Sequence, residues 1–254
     1  MLKKNRGFTL GEMLITLGII GVVSALTIPV VVNNTLESET VTRVTKVAAI
    51  FEDALSSALA NNNNLGVPDW VISTETGIAQ EFADQMRVDK DCGTDGTACF
   101  FDGDYRDING TAVAASTFLG SSPRYKIADG MSFVYKSIKS DCNSDIISSL
   151  DDACGVFIVD TNADNKPNRF GYDVFAYYLT PRRVVPFGGS NIASSFAASC
   201  LKEGEGVTSG AVTIHPGMGC TAWVFSNKKM DYIKKTDLAW PDEAQNETPP
   251  EPEV

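Results

Sequence analysis

Between Phe8 and Val32 the chain runs for 25 residues with a single charge, Glu12. About 20 apolar residues, rising about 1.5 Å each in a helix, cross a hydrocarbon core about 30 Å thick. This stretch therefore predicts a membrane-spanning helix. Lys3, Lys4 and Arg6 precede it, and the positive-inside bias holds such a short leader in the cytoplasm while the rest of the chain goes outward. Two ordinary segments share this pattern. A secretory signal peptide has the same basic start and apolar middle, with Ser24 and Ala25 as the small residues before a cut. A plain signal anchor would merely tether the domain that follows. Neither accounts for Glu12, because a carboxylate at mid-membrane depth costs about 2.5 to 3.5 kcal/mol and needs a partner or a function.

The rest of the composition narrows the function classes. With 43% hydrophobic and 21% charged residues the chain can bury a core. Its net charge of −11 repels phosphates, so no nucleic-acid partner is expected. His215 is the one histidine, and it lies in the turn-like His215-Pro216-Gly217. A multi-histidine metal site is excluded, and an Asp-His-Ser arrangement has one candidate base. The expectation is a protein that is not an enzyme, with no catalytic residues. Six cysteines in an outward-facing chain point to disulfides. They fall in three close pairs, and loop proximity favours Cys92 with Cys99, Cys142 with Cys154 and Cys200 with Cys220. Zinc is disfavoured because no C-x-x-C occurs.

Gly7-Phe8-Thr9-Leu10-Gly11-Glu12-Met13-Leu14, followed by the apolar run and Pro29, resembles the processing signal of type IV pilins and type II secretion pseudopilins. The resemblance implies that a prepilin peptidase cuts between Gly7 and Phe8 and that Phe8 is N-methylated. It also implies that the apolar segment stays as an anchor and later becomes the filament core. Removing seven residues with three cations leaves 247 residues and takes the net charge to −14. Gly11 departs from the family pattern, which has a bulky aliphatic residue before the glutamate. The motif spans about a tenth of the chain.

The residues carry a physical reading beside the resemblance. After cleavage the new ammonium of Phe8 stands four residues from Glu12, and both charges are costly in lipid unless paired. A neighbouring subunit, offset along the axis, can bring its ammonium to this Glu12. Gly11, Gly18 and Ala25 recur every seven residues with Gly21 beside them, so one helix face allows close backbone approach; glycines are also common in membrane helices generally. Pro29 removes a hydrogen-bond donor and is expected to kink or loosen the helix.

From Leu36 to Ala60 the stripe Val41, Val44, Ala48, Phe51, Leu55 and Leu59 marks an amphipathic helix with a Glu39–Arg43 pair on its polar side. Anchor and stripe read as one long helix, disturbed at Pro29 and Asn33-Asn34 and ended by Asn61 to Asn64. Beyond Gly66 the chain reads as short strands. Asp129-Gly130 joins Tyr125–Ile127 to Met131–Tyr135 as a hairpin, Val156–Val159 and Asp173–Leu179 flank a polar loop, and Thr221–Phe225 is expected as a further strand. The expected fold class is α+β, with the long helix packed on an antiparallel sheet head. Asp129-Gly130, the loop Pro167-Asn168 to Gly171, Asp173-Val174-Phe175 and Ala222-Trp223 to Met230-Asp231-Tyr232 also resemble head segments of larger pseudopilin-like proteins. The expected organisation is a leader at 1–7, a long helix at 8–64 with 8–32 in the membrane, a disulfide-containing β-rich head at 65–236, and an acidic tail at 237–254. The tail has four prolines, five acids and no base from Pro241 onward.

Asp160-x-Asn162-x-Asp164 matches the first three ligands of an EF-hand loop and makes these residues a candidate calcium site. The template then fails, with Asn165 at the glycine position and Gly171 at that of the bidentate glutamate. A bare hairpin loop of turn-forming residues is the alternative. No other cofactor is expected.

Resemblance and residues together imply a structural subunit of a type IV pilus-like or type II secretion pseudopilus filament. Its expected partners are copies of itself and related pilins, the prepilin peptidase, an inner-membrane assembly platform and the membrane. Gly18, Gly21, Pro29 and Glu12 are the candidate assembly residues. The expected place is a single pass through the inner membrane, with the head periplasmic or extracellular once assembled. The alternative is a minor tip pilin or adhesin that binds an extracellular ligand through its large head.

Overall fold

The computed structural model describes residues 9–61, 75–138, 142, 153–189, 196–201, 207–209 and 212–240. The chain divides into two compact units, 1–39 and 40–254. The leader, Asn62–Asn64 and the tail from Pro241 lie outside the described residues.

Helix α1 spans Leu10–Asn61. In the first unit it continues through Pro29, so the expected disturbance there does not end the helix. The proline still takes one donor out of the hydrogen-bond ladder. Thr27 and Thr35 donate their hydroxyls to the carbonyls of Val23 and Val31, both at 2.9 Å. These bonds leave the side chains with no unmet donor in an apolar setting.

The second unit is built on a six-stranded antiparallel sheet. Its strands are β1 (Val88–Asp91), β4 (Arg124–Ile127), β5 (Ser132–Ser137), β6 (Gly155–Asp160), β7 (Val174–Leu179) and β8 (Val184–Pro186), neighbours in that order. The expected hairpin joins β4 to β5, with Gly130 at φ +78° and its N–H on the Ile127 carbonyl. A side chain at that φ is strained, which explains the Asp-Gly turn. Pro186 closes the edge strand β8, where a missing donor costs no ladder bond.

Both faces of this sheet are covered. On one side lie Val44, Val47, Phe51 and Leu55 of α1, together with Ile78, Ala79 and Phe82 of α2 (Glu75–Gln85). Phe51 sits at the centre: it stacks on Phe157 at 4.4 Å and meets Phe133 edge-on at 5.5 Å and Tyr177 at 5.8 Å. The Tyr177 hydroxyl donates to the Val44 carbonyl at 2.7 Å, and the Val184 N–H donates to Glu52 at 2.7 Å. These two bonds fix helix register against the sheet. On the other side Val134, Ile158 and Ala176 pack under Tyr105, Phe118, Phe170, Val212 and Met218. That layer includes β2 (Asp104–Arg106), β3 (Ala112–Ala114), α3 (Ala115–Leu119), β9 (Val207–Ser209) and β10 (Val212–Ile214). Burial on both faces explains why β6 and β7 read as unbroken apolar runs rather than alternating ones.

Two local expectations are corrected. Thr221–Phe225 is not a strand but part of helix α5 (Cys220–Asn227). Its β-branched and aromatic residues suit a strand, but the Cys200–Cys220 disulfide ties its first turn to α4 (Phe196–Cys200). Lys228 then ends the helix in the left-handed region with its N–H on the Val224 carbonyl. Gly188 lies against the Gly219 backbone, where a side chain would collide, so α5 begins in close contact with the chain after β8. The second correction is α2, within a stretch expected to hold only strands. Its buried Ile78, Ala79, Phe82 and Ala83 form a helical stripe.

Candidate functional site

Thr9 and Glu12 open α1 with a reciprocal cap. The Thr9 N–H and hydroxyl reach Glu12 Oε2 at 2.8 and 2.9 Å, and the Glu12 N–H returns to the Thr9 hydroxyl at 3.2 Å. Such a box satisfies donors that the first helical turn leaves open. It also places a carboxylate at the positive end of the helix dipole. Gly7 and Phe8 lie outside the described residues.

Leu10–Pro29 is long and apolar enough to cross a membrane, and none of it is buried against the chain itself. Leu10, Ile15 and Leu26 keep 80%, 65% and 71% of their surface exposed, far more apolar area than a soluble monomer presents. A Cβ added at Gly18 or Gly21 would meet nothing within 4 Å. No described residue therefore requires glycine there, and the missing side chain of Gly18 leaves a notch beside Ile15, Ile19, Val22 and Val23.

The three expected disulfides are present: Cys92–Cys99, Cys142–Cys154 and Cys200–Cys220. Cys142, Cys154, Cys200 and Cys220 are buried, whereas Cys92 and Cys99 are half-buried.

The candidate calcium residues lie in the loop between β6 and β7. Asp160 ends β6 fully buried, and its carboxylate accepts from the Tyr105 hydroxyl at 2.7 Å and from the Asn162 N–H at 3.1 Å. Asp164 is exposed. The second carboxylate of the cluster is Asp173, buried just before β7. It accepts from the N–H groups of Asn168 and Arg169, both at 2.6 Å, and from the Asn162 side-chain amide at 3.2 Å. Burial, reinforced by Asp173, holds the Asp160 carboxyl well above the usual range, and burial pushes Asp173 up to about 6. Among the described residues no three Asp, Glu, His or Cys side chains converge as a ligand group. Asp173 and Tyr105 escape a reading by spacing, since Tyr105 is 55 residues from Asp160 and Asp173 lies past the template's last position. The one legible signal was an aspartate beside the strand that pairs with β6.

His215 stacks on Phe170 at 5.0 Å, its Nε2 is buried without a partner, and burial lowers its pKa. Nothing places a nucleophile beside it among the described hydrogen bonds.

A model of the prokaryotic N-terminal methylation motif matches residues 2–28. No curated protein and no solved structure matches the chain. The motif implies processing by prepilin peptidase and anchoring in the inner membrane before assembly, and it suggests a structural, non-enzymatic protein. On an α+β, pilin-like fold, this chain carries the N-terminal methylation motif typical of type IV pilins and type II pseudopilins.

Proposed function

We propose that this protein is a structural subunit of a type IV pilus-like or type II pseudopilus filament. In this reading the peptidase cuts between Gly7 and Phe8, Phe8 is N-methylated, and 8–32 anchors the chain with the head outside. An assembly platform then packs the apolar helix against copies of itself or related pilins. One observation carries the reading: the first 20 residues of α1, Leu10–Pro29, form an apolar span that follows the Gly7–Phe8 cut site and overlaps the matched motif, and none of it is buried among the described residues. Lipid covers that surface in the membrane, and neighbouring helices cover it in a filament. Glu12 then pairs with a neighbour's ammonium, Gly18 and Gly21 let helices approach, and Pro29 loosens the segment as it leaves the bilayer.

The test is intact-mass spectrometry of the chain from its native host, followed by shearing of surface fibres. The expected species begins at N-methylated Phe8 and lengthens by the leader when the peptidase gene is deleted. A start after Ala25 would overturn the filament reading in favour of an ordinary secreted protein. The chain's abundance in the fibres separates a bulk subunit from a tip adhesin.

A further inference from the structure

The turn between β2 and β3 carries a motif of a different kind. Asn109-Gly110-Thr111 is an asparagine followed two places on by threonine with no proline between, the acceptor pattern for N-linked sugars in exported chains. The pattern recurs at Asn33-Asn34-Thr35 and Asn246-Glu247-Thr248. The first of these lies inside α1, where the Thr35 hydroxyl is spent on the Val31 carbonyl. The second lies outside the described residues. Asn109 and Thr111, by contrast, are exposed at a hairpin tip whose base is fixed. Asp107 and Ile108 are buried, the Ile108 N–H donates to the Pro216 carbonyl at 2.9 Å, and Arg106 donates to the Gly110 carbonyl at 2.8 Å. Gly110 turns the chain at φ +98°, which a side chain there would strain. The Asn109 side-chain oxygen accepts from the Thr111 N–H at 2.9 Å and from the Thr111 hydroxyl at 2.6 Å. A backbone N–H can only donate, so its acceptor is the amide oxygen and the orientation of the amide is settled. Nδ2 is the free end of this side chain, with no hydrogen-bond partner among the described residues. The hairpin packs through Tyr105 and Val113 on the sheet face opposite Val44, Phe51 and Leu55 of α1, so a bulky group at its tip leaves that helix free.

From this geometry we propose that Asn109 is an N-glycosylation site, modified outside the cytoplasm by a membrane glycosyltransferase that draws on a polyprenyl-diphosphate-linked sugar chain. In the transfer, Asn109 Nδ2 attacks the anomeric carbon of the donor sugar. A C–N bond forms, and the C–O bond to the diphosphate breaks. The polyprenyl diphosphate leaves with that electron pair, and one Nδ2 proton passes to a base of the transferase. Nothing is oxidised or reduced. An amide nitrogen is a weak nucleophile because its lone pair is shared with the carbonyl. Removing its proton places negative charge on Oδ1, where Thr111 already presents two donors. Thr111 is thus a positioning residue for the amide, and Asn109 is the acceptor. The inference rests on the outward placement of the head and not on filament assembly.

The experiment uses the full chain from its native host. Intact-mass spectrometry is expected to give a mass above that of the processed chain by whole sugar residues, and peptide fragmentation is expected to place them on Asn109. Asn109→Asp keeps the oxygen that Thr111 bonds and removes the nitrogen, so it should fold and lose the whole addition. Thr111→Val keeps the backbone N–H and removes the hydroxyl, and it should lose the addition as well. Thr111→Ser restores the hydroxyl and should restore the sugar, which a purely structural role for the side chain would not require. Thermal melting checks that each variant is folded, and the peptide map of the wild-type chain decides the matter even if one is not. A native chain with Asn109 unmodified overturns the proposal. So does conversion of Asn109 to aspartate with no sugar, or sugar carried on serine and threonine hydroxyls with Asn109 bare. Sugar on Asn109 that survives Thr111→Val overturns the role given to Thr111. Processing is read separately in the same spectra: a start after Ala25 with sugar on Asn109 overturns the filament reading alone, whereas a start at Phe8 with Asn109 bare overturns this proposal alone.

Discussion

Glu12 accepts two hydrogen bonds from Thr9 and returns one, so the carboxylate that the membrane would penalise already caps its own helix. A cap needs an acceptor but no charge, and pairing with a neighbour's ammonium needs the charge. Glu12→Gln keeps the acceptor and loses the charge, whereas Thr9→Ala weakens the cap by about 1 kcal/mol and leaves the carboxylate. On the filament reading, Glu12→Gln and Glu12→Ala are both processed, accumulate in the membrane and are absent from sheared fibres. Thr9→Ala enters the fibres. Co-expression with the wild-type chain, comparing membrane and fibre fractions, reads the result; fibre entry by Glu12→Gln would assign the carboxylate to capping alone.

Phe51 of α1 meets the rings of Phe82, Phe133, Phe157 and Tyr177 together. Phe51→Ala leaves a cavity that four rings cannot close, and the expected loss is about 3 to 5 kcal/mol. Phe51→Leu should cost less than half of that. Urea denaturation of the full chain in detergent, followed by Trp fluorescence, measures both.

The disulfides differ in access. Cys92 and Cys99 are half-buried, while the other four cysteines lie in the core. Under mild reductant Cys92–Cys99 should open first, with the head still folded. Loss of Cys200–Cys220 by paired serine substitution should cost about 2 to 5 kcal/mol, because it ties α4 to α5. Timed alkylation with peptide mapping checks the order, and thermal melting checks the cost.

The parts legible from the chain were those whose causes are local. Asp129-Gly130 predicts its turn from backbone sterics, the Val44–Phe51–Leu55 stripe predicts a helix face, and cysteines 7, 12 and 20 residues apart pair with their neighbours. The parts missed have distant causes. Thr221–Phe225 has strand composition, yet a disulfide and the packing of Trp223 on Phe196 at 5.0 Å make it helical. Gly77 and a polar majority masked the stripe of α2. The acidic loop showed Asp160 and Asn162 by spacing, but Asp173 joins them only because β6 and β7 pair with Asp160 opposite Val174.

That pairing also sets how stability depends on pH. Asp173 is pushed up to about 6 and Asp160 also lies above its ordinary range, so at these two groups the folded chain holds protons more tightly than the unfolded one. For such groups stability is fully present below the unfolded pKa and is lost as pH rises through the folded one. The stability of the full chain, read as Tm, should therefore gain from this pair as pH falls from 8 to 5, by an amount on the order of 1 kcal/mol for Asp173. His215 works the other way in the same window, because burial lowers its pKa and the unfolded state takes the proton first. The quantity to read is thus the difference between wild type and Asp160→Asn, which shares His215 and lacks one carboxylate of the pair. The wild-type chain should gain more on acidification than the variant. A wild-type slope equal to that of Asp160→Asn would mean that the two carboxylates do not titrate as a buried pair.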